Sequence, residues 1–143
     1  MASTFSTSLK LELQATGENA GTWGDKTNTN LQLVEQAVAG YEEVSIAGGA
    51  GTTALTMSDG AASNARNMVI KLTGTISGNR IVTVPDSMEK VYIVSNGTSG
   101  AHTVQFKTAS GTGYTFVAAD KSVRVLFADG TNVVDTGIIN TSS

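Results

Sequence analysis

The hydrophobic pattern changes period once, at Tyr41, and that change constrains the fold more than any other feature of the chain. Before it lie an alternating arm, a polar turn and one helical stripe. After it lie short segments that alternate apolar and polar residues between glycine-containing turns. A helical segment joined to a strand-period body predicts two parts. Residues 1–40 are expected to form an arm and helix that dock on other chains or drive oligomerisation. Residues 41–143 are expected to form a β-sandwich domain. This is the form of an attachment element on a structural module, and not of an enzyme built round a cleft.

In the arm, Leu9, Leu11 and Leu13 alternate with polar residues and predict a strand or extended segment with the leucines on one side. Thr16-Gly-Glu-Asn-Ala-Gly reads as a turn. Thr22 with Asp25 fits a weak capping box, and Asp25 or Thr27 offers an alternative cap. From there a helix is expected to run to Ala39, because Leu31, Val34 and Val38, joined by Ala37, recur at helical spacing. Gly40 stands where a left-handed glycine would end it. A helix of about 12–15 residues is marginal alone and must dock its stripe on something. Trp23, between two glycines, either pins the helix to the β body or plugs a pocket on a neighbouring subunit, where a tryptophan carries much binding energy. The same two readings apply to Leu31, Val34 and Val38.

About eight strands follow. Met68, Ile70 and Leu72 face inward on one, and Val104 and Phe106 on another. Lys90-Val-Tyr-Ile-Val-Ser is apolar on both faces, which suits a central strand covered on both sides. Pro85 ends one segment. Asn96-Gly97 and Asp129-Gly130 are hairpin-turn dipeptides. Parallel βαβ units need helices between strands, and none is visible. The expected fold is therefore an all-β, antiparallel sandwich of jelly-roll type preceded by an arm and one short helix. No strict repeat is apparent.

Charged residues make up only 15% of the chain, below the ~25% of ordinary domains. A neutral, hydroxyl-rich surface suits packing against other subunits, since few charges need desolvating. Net charge is −3, with no basic cluster, so nucleic-acid binding has no electrostatic support. With no cysteine, thiolate catalysis and disulfides are excluded. No apolar run is long enough to span a membrane as a helix, so no membrane insertion is expected. The N-terminus lacks the pattern of a secretion signal.

Candidate chemistry is sparse. His102 is the single histidine and cannot assemble a histidine metal site or a triad by itself. Glu42 and Glu43 are adjacent and would face opposite ways on a strand. Asp86 and Glu89 have nothing to set a partner at glycosidase separation. Asp59 and Asp129, each followed by glycine, read as turn residues. Tyr92, Tyr114, Phe106 and Phe116 fit core positions better than a sugar-binding groove. No enzyme activity, cofactor or metal is expected.

Three blocks carry a resemblance. Thr4-Phe-Ser-Thr-Ser-Leu-Lys-Leu-Glu-Leu, Gly17-Glu-Asn-Ala-Gly-Thr-Trp-Gly and Thr27-Asn-Thr-Asn-Leu-Gln-Leu-Val-Glu-Gln-Ala-Val-Ala-Gly-Tyr together resemble the N-terminal block of tail-fibre and related virion proteins of tailed phages, of the cyanophage and marine-phage type. The strands around Leu72-Thr-Gly-Thr-Ile-Ser-Gly-Asn-Arg and Val91-Tyr-Ile-Val-Ser-Asn-Gly-Thr look like the β module that follows it. The resemblance implies a virion protein made in the cytoplasm of an infected bacterial host, homotrimeric, docking on tail, baseplate or capsid proteins. Its docking or oligomer interface would use Phe5, Leu9, Leu11, Leu13, Trp23, Leu31, Val34 and Val38. The chain has no long shaft after the β module. That favours a short tail fibre or tail adaptor, with a capsid decoration protein and a module for host surface glycans as alternatives.

Overall fold

Alternation after Tyr41 does become strand, and the strands pack as two sheets over one core. The computed structural model describes residues 2–140. An arm holds β1 (Thr4–Phe5) and β2 (Glu12–Leu13), and α1 (Trp23–Ala39) follows. The body holds β3 (Tyr41–Ser45), β4 (Gly51–Ala54), β5 (Val69–Thr73), β6 (Arg80–Val84), β7 (Glu89–Asn96), β8 (Val104–Thr108), β9 (Gly113–Phe116), β10 (Val123–Asp129) and β11 (Val133–Asn140), with a 3₁₀ turn at Asn64–Arg66. The result is an all-β, sandwich-like fold with a single helix.

The two sheets have the orders β11-β10-β7-β5-β3 and β4-β6-β8-β9. Strand direction departs from the antiparallel expectation. β3, β5 and β7 run parallel, with Tyr41 opposite Val69 and Val69 opposite Ile93. β4, β6 and β8 are parallel too, with Gly51 opposite Arg80 and Arg80 opposite Val104. Parallel neighbours need a crossover. Here the crossover is a strand of the facing sheet, because the chain changes sheet at every corner. No helix is required. The six strands form three rungs, and the corners stack as well, through bridges from Gly48 to Ile76 and from Thr75 to Ser99. β9 then folds back antiparallel on β8, β10 on β7 and β11 on β10.

Asn96-Gly97 makes no hairpin. Asn96 ends β7, and the chain turns the corner towards β8 in the other sheet. The Asn96 side chain is buried and holds that corner, accepting from the Thr98 hydroxyl at 2.7 Å and donating to Asp120 O at 2.8 Å. Asp129-Gly130 does make the expected turn, between β10 and β11, with Gly130 at φ +95°.

Inward residues from both sheets interdigitate. Ile70, Leu72, Val82, Val84, Tyr92, Val94, Val104, Phe106, Phe116 and Leu126 are all fully buried, each contributing roughly 1.5–3 kcal/mol on burial. Tyr92 and Phe106 meet edge to face at 5.4 Å, as do Tyr114 and Phe116 at 5.0 Å. The Tyr92 hydroxyl is satisfied by Ala65 O at 2.6 Å. Tyr92, Phe106 and Phe116 lie within the core, and Tyr114 packs partly buried against it.

Gly40 ends α1, but not by the left-handed route. Its φ is −72° and ψ is 137°. Glycine is needed there for room: a Cβ would strike Gln36 O and the Asn67 side chain. The helix C-terminus is thus pressed against the start of the β body.

Candidate functional site

The N-terminal segment is assembled from short local hydrogen bonds rather than from a long strand. Ser6 N donates to Leu11 O, and Leu11 N to the Ser6 hydroxyl, both at 2.8 Å. This closes a tight hairpin between β1 and β2. The expected extended run of leucines is interrupted inside it, where Lys10 adopts φ +56°. A residue in the left-handed region breaks period-two alternation, so Leu9, Leu11 and Leu13 do not share one strand face.

Asn30 of α1 grips the hairpin. Its side-chain amide accepts from Glu12 N at 2.9 Å and donates to Glu12 O at 2.8 Å, as a neighbouring strand would. Glu12 also accepts from the Asn19 amide at 2.9 Å and pairs with Lys26 at 3.4 Å. The Asn19 hydrogen bond leads in holding its carboxyl below the usual carboxylate range. At the helix start, Thr22 is the cap residue but makes no side-chain cap, so the capping box is not formed. Its hydroxyl bonds to Asn19 O instead.

Arg66, fully buried, ties this segment to the body. Its guanidinium donates to Leu9 O of the arm at 3.0 Å, to the Gln36 side chain of α1 at 3.4 Å, to Ser58 O at 2.7 Å, and to Ala61 O and the Ser63 hydroxyl. Three separate pieces of chain therefore meet on one side chain. All of these acceptors are neutral, and burial lowers the guanidinium's pKa. Lys90 makes a second tie. Its ammonium lies 4.7 Å from the Tyr92 ring centre and donates to Val91 O at 3.1 Å and Ala37 O at 3.5 Å. Burial pulls its pKa down to about 8.

Against this frame the expected interface residues divide into two groups. Phe5 rests one edge of its ring beside Gly60 yet stays 38% exposed, and Leu9 and Leu11 are half-buried. Leu13, Trp23, Leu31 and Val38 are 52%, 66%, 62% and 64% exposed, with Val34 at the edge of exposure. At about 100° per residue, Trp23, Leu31, Val34 and Val38 fall within an arc of roughly 80°. The helix buries Leu33 and Ala37 instead, about a quarter-turn away. So the stripe picked out by spacing runs along the flank of α1, with no cover from the body. Trp23 is the first helical residue and does not pin the helix down.

Arg66, Asn30 and Lys90 were not singled out from the sequence. Arg66 stands between Ala65 and Asn67 with no acidic neighbour. The one available signal is the loop rich in small and hydroxyl residues just before it, which supplies three of its five acceptors.

Elsewhere, carboxylates serve turns and local pairs. Asp86 accepts from Ser110 N and its hydroxyl at 3.0 and 2.6 Å, which holds its pKa down. Asp129 accepts from Thr131 N and Asn132 N. Asp135 pairs with Arg124 at 3.1 Å. Glu42 and Glu43 do part as alternation requires, towards Asn67 and Tyr41 respectively. Among the described residues no group of three histidine or acidic side chains is placed to hold a metal. No described helix is long and apolar enough to cross a membrane.

Comparison with known proteins returns no matching family model, no similar curated protein and no similar solved structure.

Proposed function

We propose that this chain is a structural component of a phage virion, a short homotrimeric tail fibre or tail adaptor that docks through residues 1–40. The observation that carries the proposal is the bare stripe of Trp23, Leu31, Val34 and Val38, with Leu13 beside it in the same segment. Large apolar side chains left in water along one helix face are an interaction surface. The resemblance of the first forty residues to virion docking blocks supports the same reading.

In mechanism, a partner subunit covers the stripe, and each large side chain fully removed from water adds roughly 1.5–3 kcal/mol. The Arg66 and Asn30 contacts fix the helix before it meets its partner, so little ordering entropy opposes docking. Catalysis plays no part.

The test is incorporation of a Leu31→Lys/Val38→Lys variant into particles during infection. The variant should fold with an unchanged circular dichroism spectrum and be missing from purified virions. Normal incorporation of the folded variant overturns the proposal.

A further inference from the structure

We propose that Glu42 and Arg80 guard the open end of the β body, barring any further strand from pairing there. This does not rest on the virion reading.

Stacked rungs leave the outermost one with a free edge in each sheet. β3 ends the five-stranded sheet and β4 ends the four-stranded one, and both belong to the first rung. The ladders show which backbone groups are left over. Val69 N donates to Gly40 O and Ile46 N to Thr73 O, so the even-numbered residues of β3 bond to β5. The N–H and C=O groups of Tyr41, Glu43 and Ser45 point the other way. On β4, Gly51 N donates to Asn79 O and Leu55 N to Thr83 O, which turns those of Thr52 and Ala54 outward. Free edges of this kind are templates on which another chain adds strands. The opposite end differs. Val133 N of β11 donates to Thr112 O, at the entry to β9. β11 is also bulged where it pairs between Arg124 and Leu126, with Gly137 at φ +80°.

The core-facing side of each free edge carries a charge. One inward row of the five-stranded sheet is Glu42, Ile70 and Val94. Ile70 and Val94 are fully buried, so a carboxylate takes the edge place in an apolar row. Asn67, itself 4% exposed, donates to that carboxylate at 2.8 Å and holds it there. On β4 the inward positions are Gly51 and Thr53, opposite Arg80 and Val82. Arg80 reaches across to this strand, donating to Gly49 O at 2.8 Å and to the Thr53 hydroxyl at 2.7 Å. Gly51 makes the room, since a Cβ there would lie 2.7 Å from the guanidinium. A strand added at either edge would extend the core over the charge and take it out of water. Glu42 lies near the start of β3, and Arg80 lies level with the start of β4, after the corner. The two thus stand at opposite ends of the rung, and a second first rung laid on this one brings neither to the other. Inward charges at an edge oppose edge-to-edge association, and a stack of repeats needs a polar end to stop growing.

The experiment is sedimentation velocity over a wide concentration range, with amide exchange by NMR, in the Leu31→Lys/Val38→Lys background. Association through the helix stripe then cannot contribute. Glu42→Val should keep the circular dichroism spectrum and self-associate about tenfold or more tightly than the background protein. Its Glu43 and Ser45 amides should gain protection on association. Glu42→Gln keeps the Asn67 contact without the charge and should shift association the same way by less, which preserves the test if the valine variant misfolds. Glu43→Pro removes an outward N–H, as an edge strand tolerates, and should abolish the association gained by Glu42→Val. Arg80→Met should act likewise at β4, with protection gained at Thr52 and Ala54. Folded Glu42 variants that associate no more than the background overturn the proposal. So does association that leaves the Glu43 and Ser45 amides unchanged or survives Glu43→Pro. A folded Arg80→Met protein without new protection at β4 removes Arg80 from it.

Discussion

The β body and the N-terminal segment treat their apolar residues in opposite ways. In the body, residues spaced for one sheet face are sealed: Val104 and Phe106 of β8, like Tyr92 and Val94 of β7, are fully buried. In α1, the residues with the clearest helical spacing are the ones left bare, while Leu33 and Ala37 between them are buried. Periodicity identifies a surface that avoids water. Which polypeptide shields it depends on reach. The body's inner faces meet because the chain crosses from sheet to sheet. Among the described residues, no second layer covers the helix stripe.

The strongest test of that contrast pairs one residue from each region. Phe106→Ala should cost about 3–5 kcal/mol in urea unfolding, through a cavity between the sheets. Trp23→Ala removes a larger ring from the helix stripe, yet should change stability by no more than about 0.5 kcal/mol. Comparable losses at both positions would falsify the division into sealed and bare apolar surfaces.

Next in size is the joint between the regions. Arg66→Ala leaves the acceptors from arm, helix and loop without their donor and should cost on the order of 3 kcal/mol. Arg66→Lys should restore little of it, because one ammonium cannot reproduce the guanidinium fork. Hydrogen exchange will show the break: protection should fall in α1 and the arm and persist in β5 to β8. Uniform loss of protection would mean that the two regions unfold as a single unit.

The smallest effect sharpens the comparison through pH. Lys90 has its pKa lowered to about 8 from 10.5, so the folded state disfavours its charge. That penalty is present in full below about pH 8 and is relieved as pH rises towards 10.5. Lys90→Met should therefore be more stable than the parent at pH 7, by on the order of 1–2 kcal/mol after allowance for its partial exposure. The two proteins should converge between pH 8 and 10.5. Thermal midpoints across that range provide the measurement, and a constant offset would show that burial of the ammonium is not the cause.

Much of the fold was legible because local signals agreed. The helix end at Ala39, the stop at Pro85, the turn at Asp129-Gly130 and the inward residues Ile70 and Leu72 of β5 and Val104 and Phe106 of β8 all follow from spacing and turn chemistry. Parallel pairing was not legible. It depends on Val69 meeting Tyr41 on one side and Ile93 on the other. Nothing local announces such a match, and the corners that set it differ, Gly48-Gly-Ala-Gly in one rung and Ile76-Ser-Gly-Asn in the next. Asn96-Gly97 misled because its turn preference yields to a buried asparagine holding a corner. In the candidate site, Trp23, Leu31, Val34 and Val38 were visible as a stripe. The Arg66 joint was not, since its partners are mostly backbone carbonyls and such acceptors carry no residue code.

The way β7 is used has a consequence for how the chain acquires its shape. It pairs with β5, made before it, and with β10, made after it. Its two hydrogen-bonding edges are thus completed at different times on the ribosome. Until residues 123–129 emerge, one edge of a long apolar strand stands open to any other nascent chain. Long-range pairing of this kind slows folding, and a high local concentration of growing chains is the condition in which the open edge is most vulnerable to aggregation.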